Sequence, residues 1–233
     1  MKALIVRGGW QGHQPVESTD LFRPFLQANG FEVRIEDSPA VYADADALAD
    51  TDLIVQCVTM SEITGEQVAG LRQAVAAGTG LTGWHGGIAD SFRASSDYLQ
   101  LIGGQFATHP SKAPDARAGG QEDNYLEHTI ALTDLGRAHP VTAGLDDVTL
   151  TSEQYWVLHD DLCDVLATTT HPVQPWHPWH RPLTSPAVWT RHWGEGRIVV
   201  TTAGHSPDVL SIPTIRTIIE RGMLWATRTA SES

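Results

Sequence analysis

The chain reads as an α/β protein, a three-layer, doubly wound domain built on a mainly parallel sheet. Two observations predict this. Short apolar strand-like runs alternate with helix-period segments from Lys2 onward, and the runs end in loops rich in glycine and histidine. Length and composition agree: 233 residues, 41% hydrophobic and 18% charged, suit a single domain over residues 1–233 with one sizeable core.

Residues 2–7 form the first expected strand, followed by the loop Gly8-Gly9-Trp10-Gln11-Gly12-His13. Residues 18–28 place Leu21, Phe22, Phe25 and Leu26 at helical spacing, and Gly30 stops that helix. Residues 31–36 alternate as a second strand, while residues 52–58 are apolar enough for a central strand buried on both faces. Thr64 and Gln67 have the spacing of a capping box for a helix that runs to Ala77 and closes at Gly78. Residues 80–84 make the fourth strand. Four strands and three crossovers within about 85 residues predict parallel pairing with right-handed connections. In such sheets ligands sit beyond the C-terminal strand ends, where the His13 loop and the residue after Trp84 both fall.

That fourth strand runs into Gly83-Trp84-His85-Gly86-Gly87, the Gly-x-Nuc-x-Gly spacing of a nucleophile elbow. The glycines suit a crowded turn that needs positive φ. A histidine in the nucleophile's place points to a metal ligand or a proton carrier; the plainer reading is a tight turn with an idle histidine.

The second half is less regular. Residues 104–125 read as a long loop and 126–133 as a strand; His139-Pro140 is a turn; residues 147–151 lead to Glu153-Gln154-Tyr155-Trp156, and 163–169 are strand-like. Residues 171–182 hold four prolines, three histidines and two tryptophans. Prolines deny residues 172–182 ladder hydrogen bonds, so they are expected as an ordered loop outside the sheet, near the site mouth or at a subunit interface. Residues 187–189 and 197–202 pair around the Gly194-Glu195-Gly196 turn. A final helix over 212–227 carries Ile215, Ile218, Ile219, Met223 and Leu224 as its apolar stripe.

A net charge of −13 argues against nucleic acid or an anionic membrane as partner, and no apolar run reaches the roughly 18 residues of a membrane span. The N-terminus enters a strand with no signal-peptide pattern. Cys57 and Cys163 both lie in apolar runs, as buried thiols of a cytoplasmic protein and not a disulfide framework.

Four features together resemble the trehalose-utilisation, or ThuA-like, family over about residues 2–228: Trp84-His85-Gly86-Gly87, His139-Pro140, Glu153-Gln154-Tyr155, and Gly194-Glu195-Gly196-Arg197-Ile198 running into Gly204-His205. The resemblance implies the fold of class I glutamine amidotransferases, which is flavodoxin-like. His85 then stands where those enzymes carry cysteine, and His205-Ser206-Pro207-Asp208 looks like a loosened form of their second histidine segment. Without a thiol at the elbow, glutamine hydrolysis through a thioester is not available, so the fold and the site's location carry over while the reaction does not.

On that layout His13, His85 and His205 meet at one rim as ligands of a divalent metal, zinc above others, and Glu153 joins from the irregular half. His85, His205 and Glu153 are the catalytic candidates; neutral proton-carrying histidines without a metal are the competing account. His109 and His159 are candidates for supporting contacts. Trp10, Trp84, Trp176 and Trp179 are the candidate sugar-stacking residues, since indole faces suit the C–H face of a pyranose. The family implies carbohydrate metabolism and a small-molecule carbohydrate partner. The expected chemistry is metal-assisted proton transfer on a keto-sugar, by isomerisation or elimination, or hydrolysis; the alternative is a non-catalytic carbohydrate-binding or regulatory protein. Self-association as a homo-oligomer is left open.

Overall fold

The computed structural model describes residues 1–228. Its strands are β1 (Lys2–Gly9), β2 (Glu32–Glu36), β3 (Leu53–Thr59), β4 (Gly80–Trp84), β5 (Gly104–Thr108), β6 (Tyr125–Leu132), β7 (Val148–Glu153), β8 (Trp156–His159), β9 (Asp164–His171), β10 (Leu183–Trp193) and β11 (Gly196–Thr201). Nine of them form one sheet in the order β2-β1-β3-β4-β11-β10-β9-β6-β7, and β5 and β8 form a separate ribbon. The four N-terminal strands fall where the alternation predicts, and all pair in parallel. β11 joins β4 in parallel, with Leu81 opposite Ile198 and Trp84 opposite Thr201. Beyond it the sheet continues through β10, β9, β6 and β7 as antiparallel ladders.

Strand alternation divides the core between the two faces. Ala3, Ile5, Leu53 and Val55 lie under the helices Arg23–Ala28 and Pro213–Ala226. Leu4, Val6, Ile54 and Val58 lie under the helices Gly65–Ala76 and Ser96–Ile102. Both faces of β3 are covered, so all seven of its residues are buried. The capping box forms: Gln67 N–H donates to Thr64 Oγ1 at 3.2 Å and Thr64 N–H donates to Gln67 Oε1 at 2.9 Å.

Three local expectations change. The helix expected over 18–28 is two short helices, Pro15–Asp20 and Arg23–Ala28, because Pro24 offers no N–H to the carbonyl four residues back. Residues 104–125 open with β5 and continue through the 3₁₀ turns Pro114–Ala116 and Gln121–Asn124. Cys57 is buried in β3, but Cys163 precedes β9 and is only half-buried, its thiol donating to Gly103 O at 3.2 Å. Among the described residues no helix is long and apolar enough to cross a membrane.

Candidate functional site

β4 has a parallel neighbour on each side, so its C-terminal end opens between the loops that follow β3 and β11. There the chain turns sharply at His85, whose φ of 50° and ψ of −139° form a conformation that costs a non-glycine residue roughly 1–3 kcal/mol. The elbow glycines serve close approach instead of positive φ. A Cβ on Gly83 would lie 2.4 Å from Gln56 O, one on Gly86 2.4 Å from His13 Cε1, and one on Gly87 2.8 Å from Cys57 Cα. His85 N–H donates to Thr201 O at 2.7 Å, which clips the elbow to β11.

His13, His85, Glu153 and His205 converge here, all buried, and each offers a ligand atom within 4.8 Å of the others. The imidazole centroids of His85 and His205 are 5.2 Å apart, and His13 lies 4.7 and 5.0 Å from them. His13 arrives on the 3₁₀ turn Gln11–His13 after β1, with its Nδ1 3.0 Å from Thr59 Oγ1. His205 follows β11, its Nε2 2.8 Å from the Tyr125 hydroxyl and 3.1 Å from the Gln121 side-chain nitrogen. Glu153 ends β7. The next residue, Gln154, donates to Thr169 Oγ1 at 2.7 Å, and Tyr155 then lies under the His85 ring with centroids 4.1 Å apart. The segment 153–155 therefore delivers a candidate ligand, an anchor and a floor in succession.

Tautomers decide what this group lacks. His85 Nδ1 lies 2.7 Å from Thr202 O, a pure acceptor, so Nδ1 carries the proton and Nε2 is a bare lone pair. That lone pair faces Glu153 Oε2 at 3.1 Å and His205 Nδ1 at 3.3 Å, and His205 Nδ1 lies 3.2 Å from the same oxygen. Burial, then the neighbouring imidazoles, hold His13 neutral with its pKa down at about 2. Burial also lowers His85, against the pull of Glu153. For Glu153 burial acts upward, but facing His205 and His85 outweighs it and keeps the carboxyl ionised, well below the usual range. The cluster thus gathers acceptors and one negative charge with a single ring proton among three facing atoms. A divalent cation would supply what is missing. Tetrahedral ligands at 2.0–2.1 Å from zinc stand about 3.3–3.4 Å apart, close to the three edges of this triangle. The residues present fit a metal.

A cavity of about 180 Å³ opens onto the group, with Trp10 and Met60 at its rim and Asp90, Arg93, Phe106 and His109 on its walls. Trp10 is 40% exposed, its ring edge-on to His13 at 4.8 Å. Trp84 does not reach the cavity: as the last strand residue it points into the core and packs on Phe22 at 4.9 Å, which rules out sugar stacking there. Trp176 and Trp179 are not among the cavity's lining residues either. Their proline-held loop stays outside the sheet and covers Trp156, whose ring meets Trp179 at 5.2 Å. Trp156 alternates with Tyr155 and so faces away from His85. His159 is exposed and bonds its own neighbour's carbonyl, away from the site. His109 does line the cavity, with Nε2 3.7 Å from Glu153 Oε1. Sequence reasoning passed over Tyr155, Tyr125 and the Asp90–Arg93 pair; Tyr155 stood inside a noticed motif, and the pair's i,i+3 spacing resembles any solvated helix end. Neither cysteine lines the cavity, and burial pushes the Cys57 thiol up to about 12.

This fold and site define a class: an α/β protein of the amidotransferase-like fold that carries an imidazole at its elbow. Within it, the model of the ThuA family, described as trehalose utilisation, matches residues 2–226, and the chain belongs to that family, whose general role is carbohydrate utilisation. Solved structures share the fold. A putative ThuA-like protein from Bacteroides uniformis ATCC 8492 is 18% identical, with 97% of this chain and 91% of that one covered at a TM-score of 0.73. One from Parabacteroides merdae ATCC 43184 is also 18% identical, covering 99% and 92% at 0.74. A cytoplasmic protein from Salmonella typhimurium LT2 is 13% identical, covering 98% and 100% at 0.64. Comparison with curated proteins returns no match.

Proposed function

We propose that the chain is a metal-dependent enzyme of carbohydrate metabolism, with one divalent ion, zinc, held by His13, His85, Glu153 and His205. The triangle of His85 Nε2, His205 Nδ1 and Glu153 Oε2, with edges of 3.1–3.3 Å and too few protons, carries this reading. Three imidazoles and a carboxylate are a donor set for zinc and not for magnesium or calcium, which take oxygen. Such an ion supplies Lewis-acid polarisation of a substrate oxygen.

The chain's own residues do the rest. Thr59 and Thr202 hold the Nδ1 atoms of His13 and His85, and Tyr155 fixes the His85 ring from below. Trp10 offers an exposed indole to the C–H face of a pyranose. His109 is the proton carrier: it lines the cavity, is partly exposed, and stands beside the Glu153 oxygen that faces away from the triangle. On a keto-sugar, its Nε2 takes the proton from the carbon beside the carbonyl and either returns it to a different carbon of the enediolate, which isomerises the sugar, or passes it to the β-oxygen, whose C–O bond breaks as the C=C bond forms. The half-buried and buried free thiols, and the neighbour described as cytoplasmic, support a cytoplasmic location.

Elemental analysis of protein purified without a histidine tag, followed by zinc titration, tests the reading. One ion per chain is expected, lost in His85→Ala and Glu153→Gln while the circular dichroism spectrum is kept. With zinc retained, His109→Gln should abolish solvent deuterium uptake into a keto-glucoside. Protein that arrives metal-free and takes up neither zinc, cobalt nor manganese would overturn it and favour a non-catalytic carbohydrate binder.

A further inference from the structure

One pair of cavity residues has no part in holding the metal. Asp90 is 4% exposed, and both of its carboxylate oxygens face Arg93: Oδ1 accepts from Nε, and Oδ2 accepts from Nη2 at 2.7 Å. This two-point pairing fixes the guanidinium plane. The loop that carries it is tied to the end of β3, where Met60 N–H donates to Asp90 O at 2.9 Å and Ser61 N–H donates to Ser91 O at 2.7 Å. Met60 takes a φ of 47° to make that contact, a strained setting for an unbranched side chain at the cavity rim. The guanidinium also lies 5.5 Å from the Phe106 ring centroid, so its plane is held on a third side. Yet the Arg93 side chain is about half exposed, and Nη1 has no hydrogen-bond partner among the described residues. A rigid pair with an unused donor edge opens into a cavity that also holds the candidate metal ligands.

The geometry points to Arg93, held by Asp90, as the specificity residue of this site: a clamp for two neighbouring hydroxyls of one neutral sugar unit. The inference rests on the metal-centre reading and adds the substrate class to it. Charge decides between a neutral and an anionic ligand. Arg93 is neutralised by Asp90 at contact distance, so the pair offers a donor beside an acceptor and no net charge to draw a carboxylate or phosphate. A vicinal diol supplies the complement, one hydroxyl accepting from Nη1 and the next donating to a remaining lone pair of Asp90. Size agrees. About 180 Å³ is well below the roughly 300–1,000 Å³ of pockets that enclose larger ligands, so a single ring enters and any further unit stays outside. Trp10 and Phe106 flank that space with aromatic faces.

The test uses the zinc-loaded protein and follows binding by calorimetry with three probes: methyl α-D-glucopyranoside, its 3-deoxy analogue, and D-glucuronate. The wild type is expected to bind the methyl glucoside and to bind the deoxy analogue and glucuronate more weakly. Arg93→Met, which keeps the stem and the packing on Phe106, should weaken the glucoside by about tenfold or more at unchanged zinc affinity, with a lower melting temperature because the buried Asp90 carboxylate loses its partner. Arg93→Lys should recover only part, because a point charge cannot reproduce the fork. Equal glucoside affinity in wild type and Arg93→Met overturns the inference, as does tighter binding of glucuronate. Zinc-loaded protein that binds none of the three probes also overturns it and leaves the metal centre standing. Failure to load zinc at all is instead the failure of the proposed function.

Discussion

At the scale of single residues, the site depends on how tightly the elbow is packed. Gly86 tolerates no side chain, since a Cβ there would lie 2.4 Å from His13 Cε1 and 2.6 Å from Nδ1. Gly86→Ala is expected to push the His13 ring off its contact with Thr59. Zinc affinity should fall by about tenfold or more, at an overpacking cost of about 1–3 kcal/mol in stability. Calorimetric titration and thermal unfolding measure the two, and undiminished affinity would show that His13 is no ligand. The residues themselves were unevenly legible. His85 stood out because paired glycines announce a crowded turn, although the positive φ falls on His85 and the glycines answer to steric contact. Trp84 misled because nearness along the chain is not nearness in space: a strand residue one step before the turn faces the core. Asp90 and Arg93 were hidden, since a salt-bridging pair three residues apart looks the same in sequence whether it faces water or a cavity.

Single elements show which signals are local. The helix Gly65–Ala76 was readable from its cap alone, because Thr64 and Gln67 satisfy each other's backbone donors without help from the rest of the fold. Thr64→Ala should cost about 1 kcal/mol, measured as a lower urea midpoint, with zinc binding unchanged because Thr64 is not among the residues that line the cavity. The segment 153–155 is the opposite case. Glu153 and Tyr155 both meet His85 at the elbow while Gln154 bonds Thr169 on β9, and no periodicity of their own reveals either partner. Only family resemblance brought Glu153 to the site. The proline-rich loop 172–182 was read correctly as lying outside the sheet, yet its tryptophans were given a role by their chemistry alone, and its packing on Trp156 takes them away from the cavity.

For the whole molecule, the alternation of the first 85 residues was enough to place four parallel strands, because each strand and crossover is specified by its own pattern. The antiparallel half was not legible in the same way, since its order β11-β10-β9-β6-β7 follows from long-range pairing that no local pattern encodes. Buried histidines set the acid stability of this assembly. His171 is fully buried, and burial, only partly offset by its bond to Tyr155 O, lowers its pKa to about 4; His13 and His85 are lowered too. A folded pKa below the unfolded value of about 6.5 means the unfolded chain takes up protons first as pH falls. Metal-free protein should therefore keep full stability above about pH 6.5 and lose it progressively below, with His171 alone contributing roughly 3 kcal/mol of loss by pH 4. Urea midpoints measured from pH 8 to pH 4.5 check the sign, and a midpoint that rises on acidification would mean that these rings are charged in the folded state.

The placement of β4 also bears on the order in which the protein is made. Its neighbours are β3, which precedes it by some twenty residues, and β11, which the ribosome supplies only at residues 196–201. Until then a strand that is fully buried in the finished sheet is an open edge, ready to pair with another chain. His205 emerges just after the strand that closes that edge. A nascent chain can therefore neither seal its sheet nor bring its candidate ligands together until residues 196–205 have been translated, and the two events coincide.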